Sequence, residues 1–426
     1  MKIETRIRTV DGSYKYRFEV EGQEIDRTYY VNPASEGLFL HPHVSILPAL
    51  GVIAAMTANM RESSLPIVFK FTGDVSKLPG SFEDFAKDTM IERYAGIADH
   101  ARNIDGFSQK KRITPDDIIF EYPSDSTEIP KLKVHKNNRM KVHRPFSFGK
   151  ESLFNRYITT KDPDVSPLFS GGTSVFLEYM GYSARTYRRH YELFDDLKVI
   201  RTNIRDVRHR MHLMGLVPDS LRYVLDISIS MIFLAYTYSS HGRIISLGNE
   251  IDCTRPRISH NGDLYYHYTL FDESNWYETI LHAAANSIIQ DALVYSPMAP
   301  IFEISILKLL RDLDPSSLEN LIACWRVGTK HKWCGNCGKC IRYHHMYKLL
   351  DIDMPESLKG LEGRGTRPDA MTPKDLFSPL AEYWYPSKLV YIPDKDVRNA
   401  LETFYSKHMP QSNKRIYRIH KEEKYD

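Results

Sequence analysis

Residues Ser147–Ser152 (SFGKES) lie between a short apolar segment and a helical pattern, and could bind the phosphate groups of a nucleotide. The start of a helix presents unpaired backbone N–H groups and the positive end of its dipole to an anion. Gly149 would let a phosphate approach the main chain closely, and Lys150 would add a positive charge. Ser147 and Ser152 would supply hydroxyl donors. The pattern favours a diphosphate or triphosphate site, although it also fits an ordinary turn.

Four of the five cysteines fall within 17 residues, a clustering typical of a metal site. They are Cys324, Cys334, Cys337 and Cys340. Four thiolates suit a tetrahedral Zn²⁺, and the intervening glycines would let backbone N–H groups turn toward sulfur. Because four sulfur ligands leave no open coordination position, we predict a structural zinc knuckle over residues 324–340. An iron–sulfur cluster and a buried cysteine set without metal are the alternatives.

A polar segment, Gly248–Arg257, is predicted to follow the fourth strand of a parallel sheet, where open α/β sheets form their binding sites. The candidate residues there are Asn249, Glu250, Asp252, Arg255 and Arg257. The amide could orient a substrate amide or a ribose, and the carboxylates could hold Mg²⁺ or act as bases. The guanidinium groups could bind a carboxylate or a phosphate. A polar loop with internal salt bridges is the alternative, and Cys253 within it is expected to be inert.

The elements that must position these side chains alternate between strands and helices after residue 143. The predicted strands are Arg144–Ser147, Ser174–Met180, Val199–Ile204, Arg243–Gly248 and Ala292–Tyr295. The predicted helices are Lys150–Ile158, Ser183–Phe194, Asp219–Tyr238, Trp276–Gln290 and Phe302–Leu313. This alternation predicts a doubly wound α/β domain with a mostly parallel sheet. A second glycine-rich segment, Ser170–Thr173, is predicted to be a turn into the second strand, because no helical pattern follows it.

The flanking regions predict the rest of the architecture. In the first 20 residues Tyr14, Tyr16, Phe18 and Val20 alternate with polar residues, as in strands with one buried face. An apolar helix at His43–Met60 and a strand at Leu65–Phe71 follow. The predicted parts are an N-terminal β-rich α+β domain (1–104), a linker (105–143), the α/β domain with its zinc knuckle (144–350), and a C-terminal helical extension and tail (351–426).

Composition narrows the classes of function. The chain has 426 residues, 57 of them basic and 54 acidic, and 42% are hydrophobic, which rules out wholesale disorder. A net charge of +3 suits a small-molecule or peptide-precursor substrate better than a nucleic acid. The arginines between residues 185 and 210 could bind RNA or a phosphorylated ligand, but we expect them on solvated faces. With no signal-peptide pattern and no apolar run of about 20 residues, we expect a cytoplasmic protein without membrane spans.

Two of these motifs together resemble those of the PP-loop ATP pyrophosphatases, the adenine nucleotide α-hydrolase-like superfamily. SFGKES resembles the SGGxDS loop, with Phe148 in place of the first glycine and Glu151 in place of the aspartate. The cysteine spacing is similar to that of 7-cyano-7-deazaguanine synthases. WCGNCGKC at 333–340 resembles the WCGxCxKC motif of UDP-N-acetylmuramoyl-L-alanyl-L-glutamate epimerases, which also have an N-terminal β-rich region. Residues 248–250 (GNE) resemble the Ser-Asn-Glu segment of these epimerases, with Gly248 in place of serine.

The resemblance, which covers roughly residues 140–350, implies a PP-loop, HUP-like fold. It also implies cleavage of ATP to AMP and pyrophosphate with Mg²⁺, activating a substrate carboxylate as an acyl-adenylate. The residues implied to be catalytic are Lys150, Glu151 and Glu250. Those implied to bind ATP are Ser147, Phe148, Gly149, Lys150, Glu151, Ser152 and Asn249. From their place after the fourth strand, we predict that Asp252, Arg255 and Arg257 bind the substrate.

The layout is closest to that of the epimerases, in which the activated glutamyl residue inverts at its α-carbon. A deazaguanine-synthase-like ligase that forms an amide or a nitrile is the alternative among enzymes. A non-catalytic nucleotide-binding protein is the alternative from another class, because Phe148 and Glu151 both alter the phosphate loop.

Overall fold

Helices and strands alternate along the chain in the computed structural model. It describes residues 1–59, 65–101, 113–134, 140–179, 191–214, 225–251, 256–259, 265–268, 274–322, 333–335, 337–361 and 383–412. The strands are β1 (Lys2–Val10), β2 (Ser13–Val20), β3 (Gln23–Glu24), β4 (Tyr29–Pro33), β5 (Ile67–Gly73), β6 (Ile118–Glu121), β7 (Val142–Pro145), β8 (Gly172–Tyr179), β9 (Leu197–Thr202), β10 (Ile244–Ser246), β11 (Pro256–Ser259), β12 (Tyr265–Tyr268) and β13 (Leu293–Tyr295). The α-helices are α1 (Ile46–Asn59), α2 (Gly80–Ala101), α3 (Lys150–Thr160), α4 (Ile204–Leu213), α5 (Leu225–Ser239), α6 (Asn275–Ile288), α7 (Glu303–Leu313), α8 (Pro315–Glu319), α9 (Gly338–Leu349) and α10 (Lys395–His408). None of these helices is long and apolar enough to cross a membrane.

Eleven of the described strands form one sheet, which confirms the predicted mixed α/β class. The order is β13-β10-β7-β8-β9-β4-β2-β1-β5-β6, with β3 paired to β2. Parallel pairs predominate, and the antiparallel pairs are confined to β1–β2, β2–β3, β2–β4 and β4–β9. The strands β11 and β12 form a separate antiparallel pair.

The five predicted strands of the α/β domain are present as β7, β8, β9, β10 and β13. Counted from β7, their order across the sheet is third, second, first, fourth, fifth. The helix after β7 covers one face of the sheet, and the helix that follows β10 covers the other. Loops that leave two neighbouring strands toward opposite faces open a crevice at the strands' carboxyl ends, where open α/β sheets bind ligands. In this chain the corresponding position lies between β7 and β10.

The N-terminal strands continue the same sheet. β4 pairs antiparallel with β9, with Val31 opposite Thr202. The Asn203 side chain strengthens this join, because it accepts a hydrogen bond from the Tyr30 N–H (2.9 Å) and donates one to the Thr28 carbonyl (2.8 Å). The predicted N-terminal and α/β domains therefore share a sheet, while their exact boundaries stay a prediction.

Strand residues alternate between two hydrophobic cores, one on each face of the sheet. In β8, Val175 and Leu177 belong to one core and Phe176 to the other, as the period of two in a strand requires. Helices α1, α2, α4, α5 and α6 contribute to the first core, and α3, α7, α9 and α10 to the second. Helices on both faces are what a doubly wound sheet requires.

The predicted aromatic stripe of β2 is confirmed and faces the first core. Tyr14, Tyr16, Phe18 and Val20 are buried, and the residues between them are exposed or partly exposed. The Tyr16 ring stacks on that of Tyr29 in β4, with 5.0 Å between centroids. The opposite face of β1 and β2 carries mainly charged side chains.

The C-terminal extension packs on the second core. The Phe404 ring of α10 lies 6.1 Å from that of Phe154 in α3, and the Tyr405 hydroxyl donates to the Pro297 carbonyl. Four predicted helices coincide with α3, α5, α6 and α7. The predicted helix Ser183–Phe194 falls largely outside the described residues, and its last part is a 3-10 turn at Tyr191–Leu193.

Candidate functional site

The Ser147–Ser152 segment joins β7 to α3, as predicted, and its own hydroxyl groups form hydrogen bonds within it. The Ser152 hydroxyl donates to the Gly149 carbonyl at 2.9 Å and accepts from the Ser147 N–H at 3.3 Å. Gly149 is the N-cap of α3 and has no side chain to cap it. A Cβ on Gly149 would lie 2.9 Å from a carboxylate oxygen of Glu151, so the glycine keeps this turn tight.

Phe148, which stands where the PP-loop pattern has its first glycine, adopts the backbone conformation typical of glycine. Its φ is 59°, in the left-handed region, which bulky residues rarely adopt. The buried ring is held by Phe146, Phe176 and Phe194, with centroids 5.0, 5.4 and 5.7 Å away. Backbone strain of this kind persists where the surroundings over-determine it, often at functional sites. Packing of the ring therefore stabilises a left-handed backbone conformation that glycine could adopt without strain.

Lys150 lies at the centre of three carboxylates. Its side chain is fully buried, and its Nζ atom pairs with Glu151, with Glu250 at 3.2 Å and with Glu303 at 3.0 Å. The glutamates come from α3, from the loop after β10 and from the first residue of α7. One oxygen of each lies within 4.8 Å of the others, a grouping that could hold a metal ion. We call Lys150, Glu151, Glu250 and Glu303 the carboxylate cluster.

The members of the carboxylate cluster keep one another charged. Burial disfavours the Lys150 ammonium, but the three carboxylates outweigh it and hold its pKa well above the usual value. Burial also opposes ionisation of Glu151, yet Lys150 lowers the pKa of that carboxyl to about 2. The pKa of Glu303 is lowered in the same way, by Lys150 and Arg342 against the effect of burial. Lys150, Glu151 and Glu303 are therefore ionised at neutral pH.

Helix α9 supplies further polar groups to the carboxylate cluster. The Arg342 guanidinium lies 3.1 Å from a Glu303 oxygen. Lys339 lowers the pKa of both Glu151 and Glu303 electrostatically, as a lesser contribution than Lys150. The fully buried Tyr343 hydroxyl has no hydrogen-bond partner among the described residues, and burial raises its pKa well above the usual value.

Sequence reasoning missed Glu303, Lys339, Arg342 and Tyr343. Glu303 carries a usable signal in the sequence, because it follows the fifth strand and the carboxyl ends of parallel strands lie at one edge of the sheet. No comparable signal marks the α9 residues, because they approach the cluster only through the fold.

Three of the four predicted zinc ligands come together beside α9. The Sγ atom of Cys340 lies 3.7 Å from that of Cys334 and 3.5 Å from that of Cys337. A tetrahedron with Zn–S bonds of about 2.3 Å has edges of about 3.8 Å, so the three thiols fit one zinc ion. Cys324 lies outside the described residues. The Cys337 sulfur also caps α9 by accepting from the Cys340 N–H at 3.4 Å, which ties the knuckle to the helix that reaches the carboxylate cluster.

Asn249 and Glu250 follow β10, as predicted, and have different partners. Glu250 pairs with Lys150, and Asn249 accepts a hydrogen bond from Ser296. Ser296, after β13, donates its hydroxyl to the Asn249 carbonyl at 2.7 Å and its N–H to Glu278 at 2.7 Å. Burial raises the pKa of Glu278 to about 7, although the Ser296 N–H and the Asn249 amide both favour its charged form. A Cβ on Gly248 would lie only 3.2 Å from the Glu151 Cβ, so this glycine makes room for the side chain at position 151.

Three predicted substrate residues cannot be placed in the site. Asp252 and Arg255, with Cys253, lie outside the described residues. Arg257 lies on β11 with its backbone opposite His267 of β12, and its side chain is not described. Their assignment stays a prediction.

The second glycine-rich segment leads directly into a strand, as predicted, but the strand begins within it. Gly172 and Thr173 already belong to β8. A Cβ on Gly172 would lie 2.3 Å from a guanidinium nitrogen of Arg144. That buried arginine donates to Asp196 and Thr159, so the glycine admits a structural ion pair rather than a phosphate.

No protein-family model, curated protein or solved structure matches this chain significantly. The assignment to the PP-loop superfamily, made on the motifs at 147–152 and 324–340, therefore stays a prediction.

Proposed function

We propose that this chain is an enzyme that uses ATP to activate a substrate carboxylate as an acyl-adenylate, releasing pyrophosphate. The observation that carries the proposal is the carboxylate cluster, which joins a buried lysine and three glutamates from the segments that follow β7, β10 and β13. Buried charges of this number are costly to keep, and strongly perturbed groups in a crevice are typical of functional sites.

The proposed phosphate site is the start of α3. Because Gly149 leaves that helix without a side-chain cap, its first N–H groups suit an anionic ligand. Lys150 is the adjacent positive charge, and in the ATP complex its ammonium would turn from the carboxylates toward the phosphates. Asn249 would orient the ribose, and the unplaced Asp252, Arg255 and Arg257 would bind the carboxylate substrate.

The glutamates of the carboxylate cluster would hold Mg²⁺. Opposite ligands of a Mg²⁺ ion lie about 4.2 Å apart, and the glutamate oxygens, within 4.8 Å of one another, fit that span. Mg²⁺ would neutralise the charge that develops on the leaving pyrophosphate. Glu303 joins the predicted Glu151 and Glu250 in this role.

The proposed reaction is an in-line displacement at the α-phosphorus. A substrate carboxylate oxygen forms the new P–O bond, and the bond from the α-phosphorus to the bridging oxygen breaks, so that pyrophosphate leaves with the electron pair. Lys150 and the α3 N–H groups would stabilise the charge that shifts to the leaving group. Holding the two reactants in line would supply most of the acceleration.

The activated acyl group would then react in one of two ways. Inversion at the α-carbon of a glutamyl residue would give the epimerase reaction, which the overall layout favours. Attack by ammonia or an amine would give an amide-forming ligase. The residues that would decide between them lie in the polar segment after Glu250, most of which is outside the described residues.

The test is ATP–pyrophosphate exchange across a panel of carboxylates, including a muramoyl peptide ending in L-glutamate and a deazapurine carboxylate. We expect exchange with one class of carboxylate, its loss in Glu303→Gln, and its retention in Lys395→Met, which alters an exposed lysine on α10. Binding of ATP without exchange for any substrate would favour the non-catalytic alternative. Exchange unaffected by Glu303→Gln would contradict the assignment of the site.

A further inference from the structure

The solvent-facing side of β1 and β2 carries a block of four cations, which we call the basic face. Its members are Arg6, Arg8, Lys15 and Arg17, and all four are exposed. Arg6 is directly opposite Arg17 in the sheet register, and Arg8 is directly opposite Lys15. Like charges directly opposite each other destabilise a strand pair, so this arrangement calls for an anion.

The basic face is poorly neutralised by the protein itself. Arg17 pairs with Glu24 at 3.6 Å, whereas within the described ranges Arg6, Arg8 and Lys15 form no ion pair. The arginines that the sequence singles out between residues 185 and 210 differ in this respect. Arg201 pairs with Glu178 at 3.3 Å, and Arg210 pairs with Asp26.

The four cations line a groove of about 760 Å³, which also carries one carboxylate (Asp11), an aromatic ring and small polar groups. Tyr30 of β4, directly opposite Lys15 in the register, is half-buried along the groove. Ser13 and Asn32 lie beyond it and are joined by a 2.8 Å hydrogen bond. Charge, an aromatic ring and hydrogen-bonding groups thus share one surface.

We propose that the basic face binds a single-stranded nucleic acid. Same-face cations along a strand lie about 7 Å apart, and cross-strand pairs about 5 Å apart, so several phosphates of one strand can be contacted together. Arginine binds phosphate oxygens bidentately. Tyr30 offers a base a stacking surface beside the cations, which is the combination typical of single-strand binding.

An acidic peptide fits the basic face less well. An extended peptide gains affinity from main-chain hydrogen bonds to a free sheet edge, but β1 and β2 lie inside the sheet with partners on both sides. On this face a peptide would lose water from its backbone N–H and C=O groups without new partners. A nucleic acid strand needs only charge and stacking.

The basic face is separate from the carboxylate cluster. Strands β8, β9 and β4 stand between β7 and β2. The overall charge of +3 does not indicate the basic face, because its four cations are a local group and acidic residues elsewhere offset their charge. Nucleic-acid binding here neither requires nor excludes the proposed ATP chemistry.

The test measures binding of fluorescent single-stranded DNA and RNA 12-mers by anisotropy, with a poly-glutamate peptide as the competing class. With four phosphate contacts, affinity should fall about 50-fold between 50 and 200 mM salt. The double variant Arg8→Gln/Lys15→Gln should reduce that dependence to about 7-fold, since two contacts are lost. Lys348→Gln/Lys395→Gln, which removes two exposed lysines of α9 and α10, should behave as the unmodified protein.

A second arm tests stacking. Tyr30→Ala should weaken oligonucleotide binding about tenfold, and Tyr30→Phe should keep it. Circular dichroism establishes that each variant is folded. Tighter binding of poly-glutamate than of the 12-mers would overturn the proposal, as would equal salt dependence in the Arg8→Gln/Lys15→Gln and control variants.

Discussion

Two buried acidic sites at the carboxyl ends of the parallel strands hold their protons differently. In the carboxylate cluster, Lys150 and Arg342 hold the pKa of Glu303 below its usual value, although that carboxyl is buried. Across the sheet Glu278 is equally buried, receives one hydrogen bond from the Ser296 N–H, and has a pKa of about 7. The comparison teaches that a partner of opposite charge, rather than burial, decides whether a carboxyl in this fold is ionised.

The difference also separates two roles. The carboxylate cluster offers oxygens that are already charged, as a cation or an ATP–metal complex requires. Glu278 is near half ionisation at neutral pH. It is linked to the loop that carries Asn249 through Ser296, whose N–H donates to Glu278 and whose hydroxyl donates to the Asn249 carbonyl.

The largest expected effect comes from removing the compensating charge. Lys150→Met leaves three carboxylates buried together, and we expect the free energy of unfolding to fall by about 3–5 kcal/mol. Urea unfolding followed by circular dichroism measures this. Lys395→Met, at an exposed lysine, should change it by less than about 0.5 kcal/mol. A loss below about 1 kcal/mol in Lys150→Met would contradict the mutual compensation described for the cluster.

Glu278→Gln should change how the free energy of unfolding depends on pH. Because the folded-state pKa of Glu278 is raised from 4.5 to about 7, its protonated form stabilises the fold below pH 4.5, and that contribution is lost as pH rises through 7. The loss amounts to about 3 kcal/mol. The variant should lack this contribution, so between pH 4.5 and 8 its unfolding free energy should gain about 3 kcal/mol relative to the unmodified protein. Parallel pH profiles for the two proteins would show that Glu278 is ionised in the fold.

The cysteine knuckle should contribute stability through its metal. Elemental analysis should find one zinc per chain, and Cys340→Ser should lose it. With free zinc at 100 times its Kd, the metal adds about 2.7 kcal/mol to the free energy of unfolding. The matched variant is Cys253→Ser, at the cysteine predicted to be inert, which should keep both zinc and stability. Iron, or no metal in the unmodified protein, would refute the zinc assignment.

The smallest expected effect concerns space around the carboxylate cluster. Gly248→Ala places a Cβ 3.2 Å from that of Glu151, and a shift of about 1 kcal/mol in unfolding free energy should follow. Gly80→Ala is the control, because a Cβ there meets no atom within 4 Å. Gly248→Ala should also change the affinity for ATP, measured by calorimetry. Identical stability and affinity in both variants would show that Gly248 is not needed for spacing.

Local patterns in the sequence predicted the parts of the site that are local in the fold. The Ser147–Ser152 loop and the cysteines at 334–340 each lie within one turn or helix start, so residue type and spacing suffice. The strand–helix alternation predicted the five parallel strands for the same reason. The places of these five strands in the sheet then depend on the pairing of β7 with β10.

The remaining features depend on contacts between distant segments. Glu303 meets both Lys150 and Arg342 only after α7 and α9 pack on the second core. The join between β4 and β9 involves residues about 170 apart, such as Val31 and Thr202, and neither strand carries a pattern that specifies its partner. In the sequence, Phe148 replaces a glycine of the phosphate loop. In the structure, its φ of 59° is that of a glycine, and the ring packing that stabilises it is not evident from the sequence.

The central claim is that the carboxylate cluster and the start of α3 form an ATP site that uses a divalent metal. Isothermal titration of ATP into the unmodified protein, with Mg²⁺ and then with excess chelator, tests it most directly. We predict binding of one ATP per chain that needs Mg²⁺ and is weakened at least tenfold in Glu303→Gln, a substitution that removes one metal-binding charge. Absence of ATP binding to the folded, zinc-loaded protein in the presence of Mg²⁺ would contradict the claim.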